Sequence, residues 1–255
     1  MSLPNWSAFV PEPGRKRVGL IGFSASSIHL APWQDPRFEL WGMNQSYIHF
    51  ERRPDRWFEI HRPESRPDAA IPDYLDDLKV IGCPLYMIDR EPQYPTSLAY
   101  PLKEVREAVP ALYHRYFTSA AAYMTALAIV EGFEEIALYG IDCSTGTEYA
   151  AQKPCLEAWL SLAAGRGIKV TVPPQSSLFK SPFLYGFEPP RAFPQVLKAS
   201  VPWLRDRING YKAKNNELLE QIHQCEGAIA ELESLLAFAE SAGRGTQFPV
   251  AEGKA

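Results

Sequence analysis

Four short stretches of the chain gather side chains able to hold or transform a polar ligand. The first is Gly19-Leu-Ile-Gly22-Phe-Ser24-Ala-Ser26-Ser27. Small residues let the backbone approach a phosphate, N–H groups at a following helix start can bind it, and the three hydroxyls add donors. An ordinary turn with a serine cap has the same composition. The second is Gly42-Met-Asn44-Gln45-Ser-Tyr47. Asn44 and Gln45 each carry a donor and an acceptor, which suits a base edge or sugar hydroxyls, and Tyr47 adds a phenol. An Asx turn is the plain alternative. The third runs from Arg52 to Arg66 and holds Arg52, Arg53, Arg56, Arg62 and Arg66 around Trp57-Phe-Glu-Ile-His61. Guanidinium forks fit phosphate, including the phosphates of DNA. His61 can serve as general acid or base, because an ordinary imidazole titrates at about 6.5, or it can be structural. The fourth is Gly140-Ile-Asp142-Cys143, followed by Glu148, Gln152 and Lys153. Asp142 can bind ribose or sugar hydroxyls, act as a base, or simply cap its loop. Glu148 offers a second carboxylate and Lys153 an anion contact for the same cleft.

Other chemistries lack their residues. There is no G-x-S-x-G, no H-E-x-x-H, no Walker lysine and no G-x-G-x-x-G. No D-x-D is present to place a divalent metal under a nucleotide diphosphate. Cys83, Cys143, Cys155 and Cys225 form no C-x-x-C pair, so they read as scattered reduced thiols. Cys143 is a conceivable nucleophile without an assignable partner. No metal and no resident cofactor is expected. With 26 basic and 30 acidic residues the net charge is −4, which excludes nucleic-acid binding by bulk charge and leaves a local basic patch.

The elements that must position these stretches follow from pattern. Apolar runs at 17–22, 38–42, 56–61, 84–89, 135–140 and 168–172 read as buried strands, several halted by glycine or proline. Helical patterns lie between several of them, at 71–78, 102–108, 118–131 and 155–164. The third opens on Thr118 and Ser119 as caps and closes on Gly132. Strands alternating with helices predict an α/β fold, a Rossmann-like mostly parallel sheet flanked by helices, with ligands bound beyond the carboxyl ends of the strands. At 255 residues the chain can bury about 70–75% of its unfolded surface. The longest nearly apolar run, 120–130, is too short to span a bilayer, and the first residues lack an apolar signal core, so no membrane partner is expected and a cytoplasmic location is.

The C-terminal part reads differently. Ile208, Tyr211, Asn215, Leu218, Ile222, Cys225, Ile229, Leu232 and Leu236 recur in steps of three and four. Such a heptad seam makes either a long helix docked on its own domain or a coiled coil, with a homo-oligomer through residues 208–236 as the second outcome. The expected organisation is a lead-in at 1–16, a nucleotide-binding domain at 17–190, a helical segment at 191–241 and a disordered tail at 242–255.

Taken together, residues 17–188 resemble a group of Rossmann-like proteins often encoded in phages and prophages, and more distantly the bacterial sialyltransferases with a single Rossmann-type domain. The matching residues are Gly22 to Ser27, Asn44-Gln45-Ser46-Tyr47, Thr118-Ser119 and Gly140-Ile141-Asp142. The resemblance implies that the first three of these segments bind a nucleotide sugar without a metal. That family places its histidine base after the Gly-Ile-Asp strand. This chain has no histidine between Asp142 and His223, so the base falls to His61, Asp142 or Glu148.

The resulting expectation is a metal-independent transferase with a nucleotide-activated donor, most simply a nucleotide-sugar glycosyltransferase. The phage-type resemblance adds hydroxymethylated bases of DNA as an acceptor and the host cytoplasm as the location. Arg52, Arg53, Arg56 and Lys153 would contact phosphate or acceptor. The alternatives are a nucleotide-binding or nucleotide-cleaving phage factor without an acceptor, and an assembly protein whose coiled coil carries the function.

Overall fold

The computed structural model describes residue 6 and residues 9–62, 74–144, 146, 148–181, 184–188 and 193–244. Of the expected features, Arg66, residues 71–73 of the first helical pattern and residues 245–255 of the tail lie outside these. The chain divides into two compact units, Met1–Lys180 and Ser181–Ala255.

The first unit is built on one parallel sheet. Its strands are β1 (Arg17–Ile21), β2 (Phe38–Met43), β3 (Arg56–Glu59), β4 (Leu85–Met87), β5 (Ser97–Ala99), β6 (Glu135–Tyr139) and β7 (Lys169–Thr171). They lie in the order β5-β4-β3-β2-β1-β6-β7, all neighbours parallel. Six strands sit within the apolar runs. The seventh, β5, is three residues long, and two of them are exposed, so it carries no apolar run to read.

Alternation along the strands feeds two cores. Val18, Leu20, Trp41, Phe58, Ile136 and Leu138 face α3 (Ala120–Val130) and α4 (Lys153–Gly165). Ile21, Leu40, Trp57, Leu85 and Ala137 face Tyr74 and Leu78 of α1 (Tyr74–Val80) and the short turns that follow β1 and β2. Burying each large aliphatic or Phe side chain contributes about 1.5–3 kcal/mol, so the sheet is held from both sides. The short α2 (Leu102–Glu107) adds Val105 to the first core.

Helix α3 shows how sequence sets direction here. It is Ala-rich and buried at Ala121, Ala122, Met124 to Ile129, as a helix pressed between a sheet and α4 must be. It ends at Gly132, whose φ of +74° turns the chain so that the Phe133 N–H reaches Ala128 O at 3.1 Å. The Glu131 carboxylate then meets Arg56, which opens β3, at 2.7 Å. The carboxyl end of α3 therefore lies at the amino edge of the sheet. Thr118 and Ser119 stand at the opposite, carboxyl edge.

In the second unit α5 (Phe193–Arg244) runs for 52 residues. Its side chains from 208 to 237 are all exposed. Among the described residues no helix is long and apolar enough to cross a membrane.

Candidate functional site

From β1 the chain moves outward to β2, β3, β4 and β5, then returns to place β6 on the other side of β1. The two carboxyl ends, β1 and β6, thus flank a topological switch point, where open parallel sheets form a crevice. Both loops there are tied together. Gly22 N–H donates to Tyr139 O at 2.8 Å, Ser24 N–H to Gly140 O at 2.8 Å, and Gly140 N–H to Ser27 Oγ at 2.9 Å. The approach requires glycine at position 22, because a Cβ there would lie 2.4 Å from the Gly140 carbonyl oxygen.

Asp142 sits on this junction. Ser24 Oγ donates to one carboxylate oxygen at 2.6 Å and Ser26 Oγ to the other at 2.7 Å. Ser177 holds the Asp142 carbonyl at 2.8 Å. The structure thus joins three sequence-selected residues, and changes what they can bind. The hydroxyls expected to cradle a phosphate are already donating to an anion. A carboxylate in that place repels phosphate and accepts from sugar hydroxyls. Ser27 is fully buried and spent on Gly140, so it acts as a fastener between the loops.

One strand over, Asn44 follows β2 with φ of 51°, a left-handed conformation that asparagine tolerates. Its N–H bonds Phe58 O at 3.1 Å. Among the described residues, the buried Asn44 Oδ1 and Gln45 Nε2 have no hydrogen-bond partner, and Gln45 is only 9% exposed. Leaving such groups unpaired costs about 1–3 kcal/mol each, which a polar ligand would recover. Tyr47, by contrast, belongs to the core. It is 1% exposed, donates to Asp77 at 2.7 Å and stacks on Tyr74.

At the end of β3, His61 Nδ1 lies 2.5 Å from the carboxylate of Glu59, which is fully buried. Where Glu59 accepts, the proton of this hydrogen bond sits on Nδ1. The Tyr74 hydroxyl donates to the other Glu59 oxygen. Burial, and then the Glu59 charge, push the Tyr74 pKa far above the ordinary phenol value, so it remains a donor. A buried carboxylate that orients an imidazole is the usual support of a histidine base. Sequence reading selected His61 and passed over Glu59 and Tyr74. Glu59 had a signal, since residues two apart in an extended chain share a side. Tyr74 had none.

The remaining candidates divide by edge. Thr118 Oγ1 donates to Ala151 O at 3.0 Å, joining the start of α3 to the turn Glu148–Gln152 that leads into α4. Ser119 is the N-cap of α3 by position, but its hydroxyl makes no cap bond. Lys153 opens α4 and lies 3.9 Å from Glu157. Glu148 is exposed. Cys143 is buried, and burial, with the charges of Glu148 and Asp142, lifts its thiol to about 12, so it is no nucleophile.

Arg52, Arg53 and Arg56 precede or open β3, and so stand at the amino edge, away from this group. Arg52 is 1% exposed, paired with Asp55 at 3.0 Å, and burial lowers its pKa. Arg53 packs its guanidinium against Gly82. Arg56 is paired with Glu39 and Glu131 and lies over Trp41 at 4.5 Å. The structure therefore separates these three arginines from the carboxyl-edge residues, whereas Arg62 follows His61 beyond the end of β3. Among the described residues no three His, Cys, Asp or Glu side chains gather as metal ligands.

No family model matches the chain, and no curated protein matches it. Solved structures with a similar course of the chain include the sialyltransferase CstII of Campylobacter jejuni in complex with cytidine-5'-monophosphate. It is 16% identical, with 62% of this chain and 79% of that chain covered and a TM-score of 0.42. The monofunctional alpha-2,3-sialyltransferase Cst-I of the same organism is 13% identical, with 79% and 99% covered and a TM-score of 0.44. At that distance activity does not travel with the fold.

Proposed function

We propose that the chain is a transferase that takes a nucleotide-activated donor, most simply a nucleotide sugar, in the crevice beyond the carboxyl ends of β3, β2, β1 and β6. One observation carries the reading. Asn44 Oδ1 and Gln45 Nε2 are a buried acceptor and a buried donor without partners among the described residues, at the edge where such sheets bind ligands. That pair complements a ligand offering one donor and one acceptor side by side, as a nucleobase edge does.

The other residues take roles around it. Asp142, fixed by Ser24 and Ser26, accepts from sugar or ribose hydroxyls. Thr118 and Ser119, at the start of α3, together with Lys153, take the phosphate, where helix N–H groups and the lysine charge favour an anion. His61, oriented by Glu59, removes the acceptor hydroxyl proton at Nε2. The acceptor oxygen bonds the anomeric carbon as the bond to the donor phosphate breaks, and the nucleotide leaves with that electron pair. Strands about 4.8 Å apart put the tips of β3 and β6 about 14 Å from one another, a span on the scale of a nucleotide sugar. His61 is preferred over Asp142 because both Asp142 oxygens are engaged, and over Glu148 because Glu148 is exposed.

Metal-independent transfer and a modified DNA base as acceptor are the finer readings. The amino-edge arginines give the DNA reading no support at this site. The test is a thermal-shift screen against UDP-glucose, CMP-sialic acid, GDP-mannose, ATP and NAD. A product assay then follows with the best ligand, in EDTA, with DNA carrying hydroxymethylated bases among the acceptors. A ligand at 100 times its Kd stabilises by about 2.7 kcal/mol. A selective response to one nucleotide sugar followed by sugar transfer is expected. Hydrolysis with no transfer to any acceptor moves the assignment to a nucleotide-cleaving protein, and no response at all removes the donor site.

A further inference from the structure

Helix α5 carries an apolar stripe whose side chains are about half or more exposed. Ile208, Tyr211, Leu218, Ile222, Ile229, Leu232 and Leu236 are each 49–64% exposed. In heptad terms Ile208, Asn215, Ile222, Ile229 and Leu236 fall at a, and Tyr211, Leu218, Cys225 and Leu232 at d. Isoleucine at three of the five a positions and leucine at alternate d positions make a continuous apolar seam. An exposed stripe this long marks an interaction surface, and its heptad spacing fits a partner helix.

Charge decides which partner. The positions that flank the seam at e are Arg205, Lys212, Leu219, Glu226 and Glu233, basic at the start, apolar in the middle and acidic at the end. Those at g are Arg207, Lys214, Gln221, Ala228 and Leu235. In a parallel pair g residues meet e residues of the next heptad. Arg207 would meet Lys212, Lys214 would meet Leu219, Gln221 would meet Glu226, and Ala228 would meet Glu233, so no opposite charges pair and one like-charged pair forms. In an antiparallel pair e meets e. Arg205 and Lys212 of one copy then run alongside Glu226 and Glu233 of the other, twice over by symmetry, with Leu219 near the axis. The helix is complementary to its own reverse.

We propose that α5 forms an antiparallel two-stranded coiled coil with a second copy of this chain. The a-to-d layers are Ile208 on Leu232, Tyr211 on Ile229, Asn215 on Cys225 and Leu218 on Ile222, each repeated by the two-fold axis. The amide of Asn215 thus lies against the thiol of the second copy's Cys225, a polar layer that fixes the register. In this register the two Cys225 residues are ten helical positions apart, about 15 Å, beyond the reach of a disulfide.

The test uses the full chain. Light scattering after gel filtration at about 100 μM should give twice the 28.7 kDa chain mass. Ile222→Lys should give the single-chain mass with an unchanged melting temperature for the first unit, since residue 222 is exposed in the isolated chain. Mild oxidation should leave the wild-type chain uncrosslinked. In Asn215→Cys it should give a covalent dimer whose peptide map joins position 215 to Cys225. A single-chain mass for the wild type, bridges between the two Cys225 residues, or no 215-to-225 bridge in Asn215→Cys overturns the proposal.

Discussion

Gln45 holds a buried amide donor with no partner among the described residues, which costs stability unless a ligand uses it. Gln45→Leu fills similar space without the donor. The melting temperature should stay level or rise, while the donor nucleotide binds at least about tenfold more weakly, the 1.4 kcal/mol worth of one good hydrogen bond. Urea melts and calorimetric titration check the two halves. A large loss of stability with binding intact would make Gln45 a structural residue. Glu59 is a different case, since its carboxylate faces His61 Nδ1 and the Tyr74 hydroxyl. In Glu59→Gln the amide can donate to Nδ1, which moves the imidazole proton to Nε2 and removes the base. The turnover number should fall by roughly 100- to 10,000-fold with little change in donor affinity, as measured by steady-state kinetics beside direct titration. An unchanged turnover number would release His61 from the role.

The elements matter through how closely their ends meet. β1 and β6 converge on Gly22 and Gly140, and the serine hydroxyls reach Asp142 only because these backbones touch. Gly22→Ala puts a methyl 2.4 Å from a carbonyl oxygen that belongs to a buried strand end. Overpacking of this kind costs about 1–3 kcal/mol, and the cost should be read as a lower urea midpoint. Ligand binding should weaken too, because the two loops must separate to admit the methyl. The thiols give an independent check on the core around these elements. Cys83 and Cys143 are buried and both lifted to about 12, in each case first by burial. At pH 8 about one thiol in ten thousand is then ionised. Iodoacetamide should leave both unlabelled in the native protein and label both in urea, with peptide mass spectrometry as the readout.

At the scale of the whole molecule the first unit contains both buried clusters, which together run from Ile21 and Val18 to Leu178. Residues 1–180 should therefore fold without the long helix. A chain ending at Lys180 is expected to melt cooperatively, within a few degrees of the full chain, and to keep the nucleotide response of the full chain. Circular dichroism and the same thermal-shift screen check this. A non-cooperative melt would mean that the second unit completes the core. The charge asymmetry of α5 works at this scale as well, because it concerns which copy meets which.

Much of this arrangement was set by residues read in order. Six of the seven strands, three to six residues long, lie in stretches legible as mostly apolar runs bounded by glycine, proline or polar residues, and the inner ones carry that pattern because they are buried on both faces, whereas β7 at the edge is exposed to half-buried. α3 is written in its alanines and its closing Gly132. Asp142, Asn44, Gln45 and His61 were selected because polar side chains directly after such runs stand at the carboxyl edge. The same rule, applied to Arg52, Arg53 and Arg56 ahead of their strand, would have put them at the other edge. Tertiary structure alone decided the rest. β5 is a strand only because β4 offers it an edge to pair with. Tyr47 is core only because α1 brings Asp77 and Tyr74 to it. Asp142 meets Ser24 and Ser26, more than a hundred residues away, because the return of the chain to the far side of β1 puts β6 there. Spacing along a chain reports which residues share a strand face or a helix face. It does not report which strand ends meet, because that is settled by the packing of helices on the sheet.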